Sequence, residues 1–222
     1  MANHEHLTLL KSSIADWNEW REKNAQIKVN LMQAELEGFN LKGANLKGAN
    51  LSWANLKGAN LKAINLQGAT LGWANFSGAN LEQANLTQVN CINTNFRQVN
   101  FWKANLSSAN LSRAILIRTH LYQTNLSRAN LSQSYLSDAN LSEANLSDVN
   151  LSRANLSRAN LSNTNLTNAN LSDANLTNAN LTNANLSDAD LTNANLTGVN
   201  LESATLTGAI MPDGRKNLEF RI

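Results

Sequence analysis

The sequence has a single cysteine, Cys91, so no disulfide can form within the chain. Its charges nearly cancel, leaving a formal net charge of +2 over 222 residues, which argues against both a basic nucleic-acid-binding arm and an acidic mimic of DNA. No apolar run approaches the length of a membrane span, and no signal peptide is visible. These absences predict a cytoplasmic protein without a membrane span.

Motifs that carry catalysis are also missing. The sequence contains no phosphate-binding loop, no grouping of cysteine, histidine and acid typical of a nucleophilic site, no paired carboxylates on a loop that interrupts the repeat, and no metal-ligand cluster. His4 and His6 have no third ligand nearby, so we expect them in a frayed terminus. The sequence therefore predicts a protein that is not an enzyme and holds neither a cofactor nor a metal.

What the sequence does contain is an unbroken five-residue repeat with the consensus Ala-Asn-Leu-Ser-x. From Leu36 to Leu206 every fifth residue is apolar, and nearly all are leucine. Four of these positions hold another residue, namely Phe76, Cys91, Phe96 and Phe101. Because Cys91 occupies a leucine position, we interpret it as a small buried apolar residue rather than a nucleophile.

A period of five fits neither regular secondary structure. On a helix, five steps of about 100° would spread the leucines around the axis, and in a strand an odd period would place them alternately on opposite faces. All the leucines can be buried together only if each repeat also turns a corner. The sequence therefore predicts a coil in which each repeat is a short extended segment followed by a tight turn.

The residues at the predicted corners agree with this interpretation. The second residue after the leucine is often glycine early in the repeat and asparagine later, for example Gly38 and Asn163, and both tolerate the positive φ of a type II turn. Where Arg113 or Arg158 occupies this position we expect a different turn type. The residue before the leucine is mostly asparagine, which we expect to point outward and to hydrogen-bond along the stack.

Comparison of residues fifteen and twenty apart favours twenty, that is four repeats in each turn of the coil, here called a lap. Twenty stacks aromatic residues on one another and places opposite charges together, whereas fifteen places like charges together. The pairs predicted to stack or bond are Trp53 with Trp73, Trp102 with Tyr122, Phe76 with Phe96, Arg118 and Arg158 with Asp138, Arg128 with Asp148, and Arg153 with Asp173. About nine laps spaced by about 4.8 Å would make a rod roughly 40 Å long.

This repeat resembles that of the pentapeptide-repeat family, over about residues 34–211. The resemblance implies an all-β solenoid, a right-handed quadrilateral β-helix. The segment from Trp17 to Arg21 and the sequence Met-Pro-Asp-Gly from Met211 to Gly214 are similar to those of cyanobacterial members. The family serves several roles, so the resemblance implies the fold rather than the function.

Three segments are predicted from these patterns. Residues 1–30 form an N-terminal helical cap, since Leu7, Leu10, Ile14 and Trp17 make one apolar stripe on a helix of about four turns. Recruitment of a partner or a membrane surface by that helix is the alternative. Residues 31–211 form the β-helix, and residues 212–222 a tail. The apolar tail residues Leu218, Phe220 and Ile222 either cover the last lap or pair with a second molecule; end-to-end association is possible.

Large apolar and aromatic residues gather at outward positions in one neighbourhood, on two adjoining faces of the predicted coil. Such clusters beside arginine are typical of protein-binding surfaces. The residues predicted to bind a partner are Trp102, Ile115, Ile117, Arg118, His120, Tyr122 and Tyr135. A smaller second patch comprises Trp53, Trp73 and Ile92. The alternative is that outward positions vary freely and the rings stack on one another, which would only stabilise the rod.

The sequence therefore favours a non-enzymatic interaction or scaffold protein whose partner is a protein. Three alternatives remain open. A DNA-mimicking regulator of a type II topoisomerase is disfavoured by the near-neutral charge and the lack of loops. Columns of serine and threonine suggest an ice-binding protein, but the sequence lacks the matched rows of threonine that such a protein would need. A structural rod without a specific ligand is the third.

Overall fold

The computed structural model describes residues 1–217. From Asn30 onward the chain coils, and parallel β-bridges join residues twenty positions apart, the first between Asn30 and Asn50 and the last between Asp190 and Ile210. Nine laps of twenty residues separate Asn30 from Ile210. The bridges confirm the predicted lap of four repeats. Within residues 1–217 no strand is longer than a single bridging residue.

The core consists of the stacked leucine side chains and the alanines two positions before them, which are buried together. Phenylalanine replaces leucine at Phe76, Phe96 and Phe101, and the ring of Phe96 lies 5.1 Å from that of Phe76 and 5.2 Å from that of Phe101. Buried hydroxyls in the alanine column find partners; for example, Thr94 Oγ1 donates to the carbonyl of Leu71 at 2.8 Å. The buried hydroxyl groups at these positions are therefore all hydrogen-bonded.

Every backbone N–H of a consensus repeat has its own acceptor. The N–H groups of Leu156 and Arg158 donate to carbonyls of the following lap, at 2.8 and 2.9 Å. The N–H of Asn155 donates to the preceding lap at 2.9 Å. The N–H of Ala159 donates across the corner to the carbonyl of Leu156 at 3.0 Å. That leaves the N–H of Ser157, which donates to the side-chain oxygen of Asn155 at 3.1 Å.

The consensus asparagine therefore has a local role that the sequence analysis did not assign. Each asparagine at this position from Asn30 to Asn200 accepts a hydrogen bond from the N–H two residues later, here called the asparagine cap. Asp190 makes the same bond to Thr192 at 2.9 Å. The predicted bonds between stacked asparagines occur as well, at some pairs only, such as Asn60 to Asn40 at 2.9 Å.

The expectation of two turn types was wrong. The second residue after the leucine has a positive φ at every repeat from Gln33 to Gly198, including Arg113 (58°) and Arg158 (56°). A non-glycine residue in this conformation costs about 1–2 kcal/mol. The N–H groups of Arg113 and Arg158 donate to carbonyls of the following lap at 3.0 and 2.9 Å, and these bonds offset part of that cost. All these corners have the positive φ that a type II turn requires.

The N-terminal cap contains two helices, α1 (His4–Ser12) and α2 (Ile14–Lys23), rather than the single helix predicted. Ser13 is extended, with φ −159° and ψ 127°, and its side chain accepts a hydrogen bond from the N–H of Asp16 at 3.2 Å. Because this serine is a good N-cap for α2, it ends one helix and begins the next. Neither helix is long and apolar enough to cross a membrane among the residues described.

Helix α2 covers the open edge of the first laps. The indole Nε1 of the buried Trp17 donates to the carbonyl of Asn45 at 2.9 Å. The side chain of Asn18 accepts from the N–H of Asn45 at 2.8 Å and donates to the carbonyl of Gly43 at 3.0 Å. Arg21 donates to the carbonyl of Lys47 at 3.1 Å. Side chains of α2 thus replace the missing lap, as expected for a cap.

His6 does not lie in a frayed terminus, contrary to expectation. Its ring packs 5.3 Å from that of Trp20 and 6.5 Å from that of Trp17. Its Nδ1 accepts a hydrogen bond from the N–H of Asn30 at 3.3 Å. His6 therefore belongs to the cap.

The other end of the coil is closed by a chain reversal at Pro212–Gly214. Lys216 forms an antiparallel bridge with Ile210, and Asn217 exchanges backbone hydrogen bonds with Gly208 and Ala209 at 2.9 and 2.7 Å. Through these contacts the backbone of residues 216–217 pairs with the backbone of residues 208–210 in the last lap. The tail residues for which the sequence analysis left two roles open, Leu218, Phe220 and Ile222, lie outside the described residues.

The asparagine cap can be tested by substituting Asn155. Asn155→Ala removes the acceptor of the Ser157 N–H, and we expect the free energy of unfolding to fall by about 1 kcal/mol in chemical denaturation. Asn155→Asp is the matched control, because Asp190 shows that a carboxylate accepts the same bond, so this variant should keep most of the stability. Equal losses in the two variants would contradict the role of the side-chain oxygen.

The stability of the cap should depend on pH through His6. Burial, together with the charge of Arg21, lowers the pKa of His6 from its ordinary value of 6.5. The unfolded chain therefore binds the proton more tightly, so the contribution of His6 is fully present above pH 6.5 and is lost as the pH falls below it. We expect the hydrogen-exchange protection of the Asn30 N–H to decrease between about pH 7.5 and about pH 5.5.

His6→Phe provides the comparison, because it keeps a ring in the cap but cannot titrate. In this variant the protection of Asn30 should change much less over the same pH range. The same loss of protection in both proteins would mean that other groups cause it.

Candidate partner-binding surface

Two adjoining faces of the coil bring together all the residues of the main predicted site. The aromatic patch is defined by Trp102, Ile115, Ile117, Arg118, His120, Tyr122 and Tyr135. On the first face Ile115 bridges directly to Tyr135, and on the second Asn100 bridges to His120. The leucines beside them point into the core, so the patch residues lie on the outer surface. Tyr135 is the most accessible large apolar residue among them, with half of its surface exposed.

A cleft of about 310 Å³ lies where the first face meets the corner. Its lining combines one apolar side chain with charged and polar ones, Ile117 with Arg97, Gln98, Arg118 and Asp138. The carboxylate of Asp138 is already engaged by Arg158, whose guanidinium donates to both carboxylate oxygens at 2.7 and 2.9 Å. That hydrogen-bonded pair lowers the pKa of Asp138 and raises the pKa of Arg158.

The second face holds a broader depression of about 470 Å³, lined by Asn100, Trp102, His120 and Tyr122. Trp102 and Tyr122 lie one lap apart as predicted, but the expected stack is wrong, because no ring contact joins them among residues 1–217. The ammonium of Lys103 lies 4.9 Å from the ring of Trp102 instead. These rings leave space between them.

The hydroxyl of Tyr122 bonds to a carboxylate on the next lap. Its hydroxyl donates to Glu143 Oε2 at 3.0 Å, and Gln123 Nε2 donates to the same oxygen at 2.8 Å. The hydrogen bond to Glu143 raises the pKa of Tyr122. The polar end of the tyrosine is therefore fixed, and its ring lines the depression.

The second patch has a different geometry. The rings of Trp53 and Trp73 stack as predicted, with centroids 5.1 Å apart and planes within 4° of parallel. Both occupy corner positions with positive φ, and both are more than half exposed. Ile92 lies one lap further on, where its carbonyl accepts from the N–H of Trp73 at 3.2 Å. Each tryptophan ring therefore covers one face of the other by stacking.

The predicted charge ladder forms only in part. The pair Arg158–Asp138 is close, and Arg153 lies 3.5 Å from Asp173. Arg128 makes no ion pair with Asp148 among the described residues; that carboxylate accepts from Asn168 Nδ2 at 3.1 Å.

One property of the patch was missed by the sequence analysis. Ile115, His120 and Tyr135 replace the asparagine whose side chain caps the N–H two residues later. Within residues 1–217 nothing accepts a hydrogen bond from the backbone N–H of Ile117, Tyr122 or Ser137. Six repeat positions lack the cap in this way, namely Glu35, Thr70, Ile115, His120, Tyr135 and Thr205, and half of them fall in the patch. The departures from asparagine were visible in the sequence, whereas their effect on the backbone was not.

The remaining reactive groups do not form a reaction centre. Cys91 is fully buried in the leucine column, and burial raises the pKa of its thiol well above the ordinary value. No group of three or more histidine, cysteine, aspartate or glutamate side chains is placed to hold a metal ion in the part of the chain that the structure describes.

Comparisons with known proteins agree with this repeat architecture. A family profile described as "Pentapeptide repeats (8 copies)" matches residues 27–62, 64–102, 94–133, 104–142, 134–173 and 174–211. None of the curated proteins matches the chain.

Several solved structures are similar to this chain. It is 33% identical to HetL from the cyanobacterium Nostoc sp. strain PCC 7120, a pentapeptide repeat protein involved in heterocyst differentiation regulation, over 90% of this chain and 98% of that one, with a TM-score of 0.46. It is 24% identical to the pentapeptide repeat protein Rfr23 from the cyanobacterium Cyanothece 51142, over 90% and 99%, with a TM-score of 0.21. It is 18% identical to the plasmid-mediated fluoroquinolone resistance protein QnrB1, over 81% and 90%, with a TM-score of 0.44. The family match along nearly the whole coil leads to one conclusion: the chain belongs to the pentapeptide-repeat family.

Proposed function

We propose that this protein is a non-enzymatic interaction protein that binds another protein through the aromatic patch. The observation that carries the proposal is the missing stack between Trp102 and Tyr122. If the outward aromatic residues served only to stabilise the rod, rings one lap apart would cover each other, as Trp53 and Trp73 do. At the patch, Trp102 and Tyr122 instead line a depression of about 470 Å³ together with the polar side chains of Asn100 and His120.

The composition of the patch supports a protein partner. Tryptophan, tyrosine and arginine are the residues that contribute most to protein–protein interfaces, because they bury large areas with little conformational freedom to lose. Here they lie on a rigid scaffold, since each lap is held by backbone hydrogen bonds to its neighbours. A preorganised surface of this kind loses little entropy on binding.

The role of the relative gives this proposal a direction. HetL, which is 33% identical over nearly its whole length, is involved in heterocyst differentiation regulation. We propose that this chain likewise acts as a regulator, by occupying a surface of its partner rather than by catalysis. The stacked tryptophans of the second patch are assigned to the stability of the rod.

Replacement of the patch by consensus residues tests this function. The changes are Trp102→Ser, Ile115→Asn, Ile117→Ser, His120→Asn, Tyr122→Ser and Tyr135→Asn. They should preserve the fold, because each introduces the residue that the repeat itself uses. The wild-type and substituted proteins are used for affinity purification from the cells in which the protein occurs, followed by calorimetry with each purified candidate partner. We expect binding of the specific partner to weaken at least about tenfold.

The matched control alters the second patch, with Trp53→Asn and Trp73→Asn at corners that accept asparagine. This variant should bind the partner as the wild type does. Partners that remain fully bound to the patch variant, or that are lost equally from the control, would refute the proposed surface.

A further inference from the structure

We propose that the first face of the aromatic patch binds an acidic peptide segment of the partner, whose carboxylates accept hydrogen bonds from Arg97, Arg118 and the uncapped N–H groups of Ile117 and Ser137. This inference rests on the proposed function, and it names the chemistry of the partner. Three independent features of the face lead to it.

The first feature is the direction of the uncapped N–H groups. In a consensus repeat this N–H is met by an asparagine side chain that lies on the outside of the coil, as in the bond from Ser157 to Asn155 at 3.1 Å. Where Ile115 and Tyr135 replace asparagine, the side-chain acceptor is gone, and the N–H keeps its outward direction because both neighbours on the backbone remain in the lap-to-lap ladder. Two backbone donors are therefore offered to an acceptor from outside.

The second feature is the state of the two arginines. The guanidinium of Arg118 makes no direct hydrogen bond or ion pair within residues 1–217, although its charge helps to lower the pKa of Asp138. The guanidinium of Arg97 donates only one long bond, 3.4 Å, to Asn95 within the same residues. Since Asp138 is already held by Arg158 in a bidentate pair, both arginines that line the cleft are available to an anion. Guanidinium groups bind carboxylates in paired, directional hydrogen bonds.

The third feature is the spacing of the donors. Arg97, Ile117 and Ser137 belong to three successive laps of one face, so their donors extend over two lap spacings of about 4.8 Å each. A single small anion cannot meet all of them. A peptide segment with several acidic side chains can, and its apolar residues would contact Ile115, Ile117 and Tyr135.

The charges of the neighbouring face set the limits of the segment. Glu143 lies there, where it accepts hydrogen bonds from Tyr122 and Gln123. A second carboxylate would be repelled at that position. The acidic part of the segment is therefore assigned to the first face.

The test uses the full-length ¹⁵N-labelled protein and two short peptides. The probe is acetyl-Asp-Glu-Phe-Glu-Asp-amide, and its neutral counterpart is acetyl-Asn-Gln-Phe-Gln-Asn-amide. Titration with the acidic peptide should move the amide proton resonances of Ile117 and Ser137 downfield, as expected when an N–H gains a charged acceptor. The neutral peptide should bind at least about tenfold more weakly.

Arginine variants separate specific contacts from general charge. Arg118→Gln and Arg97→Gln should each weaken binding of the acidic peptide about fivefold or more. Arg128→Gln removes the same charge from an equivalent corner on another face and should leave the affinity unchanged. If all three variants weaken binding equally, the peptide responds only to the net charge of the protein, and the inference is overturned.

Two substitutions at Ile115 isolate the backbone donor. Both remove the isoleucine side chain, but Ile115→Asn restores the asparagine cap on the Ile117 N–H, whereas Ile115→Ala leaves that N–H free. The acidic peptide should bind several-fold more weakly to the asparagine variant than to the alanine variant. Thermal unfolding checks that both are folded, and we expect the asparagine variant to be the more stable. If the two variants bind the acidic peptide with the same affinity, the N–H of Ile117 does not contact the peptide.

The outcomes distinguish this inference from the proposed function. If the partner is lost from the consensus-patch variant but binds Arg97→Gln and Arg118→Gln as well as the wild type, the patch is a binding surface and the acidic segment is wrong. If the partner survives the consensus-patch variant, the proposed function itself fails. Stronger shifts of the same amide resonances with a short DNA duplex than with the acidic peptide would assign the face to nucleic acid and overturn the inference.

Discussion

The structure depends on an acceptor being available for every backbone N–H of a five-residue unit. Ladder bonds to the neighbouring laps serve three of the five, and the corner bond serves the fourth. The fifth has no backbone acceptor, so the consensus asparagine supplies one from its side chain. A buried or half-buried donor without a partner costs free energy at every repeat, and a coil made of many identical repeats would accumulate that cost. This explains why the residue before the leucine is almost always asparagine, and once the aspartate Asp190, whose side-chain oxygen can accept this bond.

The same constraint explains which parts of the structure could be predicted from the sequence. The period of five, the burial of the leucines and the charge pairs twenty apart define the four-sided lap, because they concern the spacing of side chains. The turn at Arg113 and Arg158 could not be predicted from residue preference, since the repeat imposes a positive φ there on residues that rarely adopt it. The break at Ser13 divides an apolar stripe that is continuous across two helices, so periodicity alone could not locate it.

The candidate surface was only partly visible for a related reason. The sequence places Trp102 above or below Tyr122 by register, and register alone does not orient a side chain. The hydroxyl of Tyr122 is held by Glu143 and the ring of Trp102 lies beside Lys103, which opens the space between them. At Trp53 and Trp73 no such polar partner competes among the described residues, and the rings stack. The proposed binding surface thus arises where local polar contacts outweigh stacking between laps.

The direct stacking of positions twenty apart also restricts how a chain of this kind can change in length during evolution. Insertion of one repeat between two laps would rotate every lap beyond it by a quarter turn. Each face of those laps would then stack on the adjoining face of the laps before the insertion. Residues such as Ile115 and Tyr135, which now bridge each other, would then lie on different sides of the rod. Duplication of four repeats would lengthen the molecule and leave every face in register. Gains and losses of whole laps are therefore the changes that a composite surface of this type can tolerate.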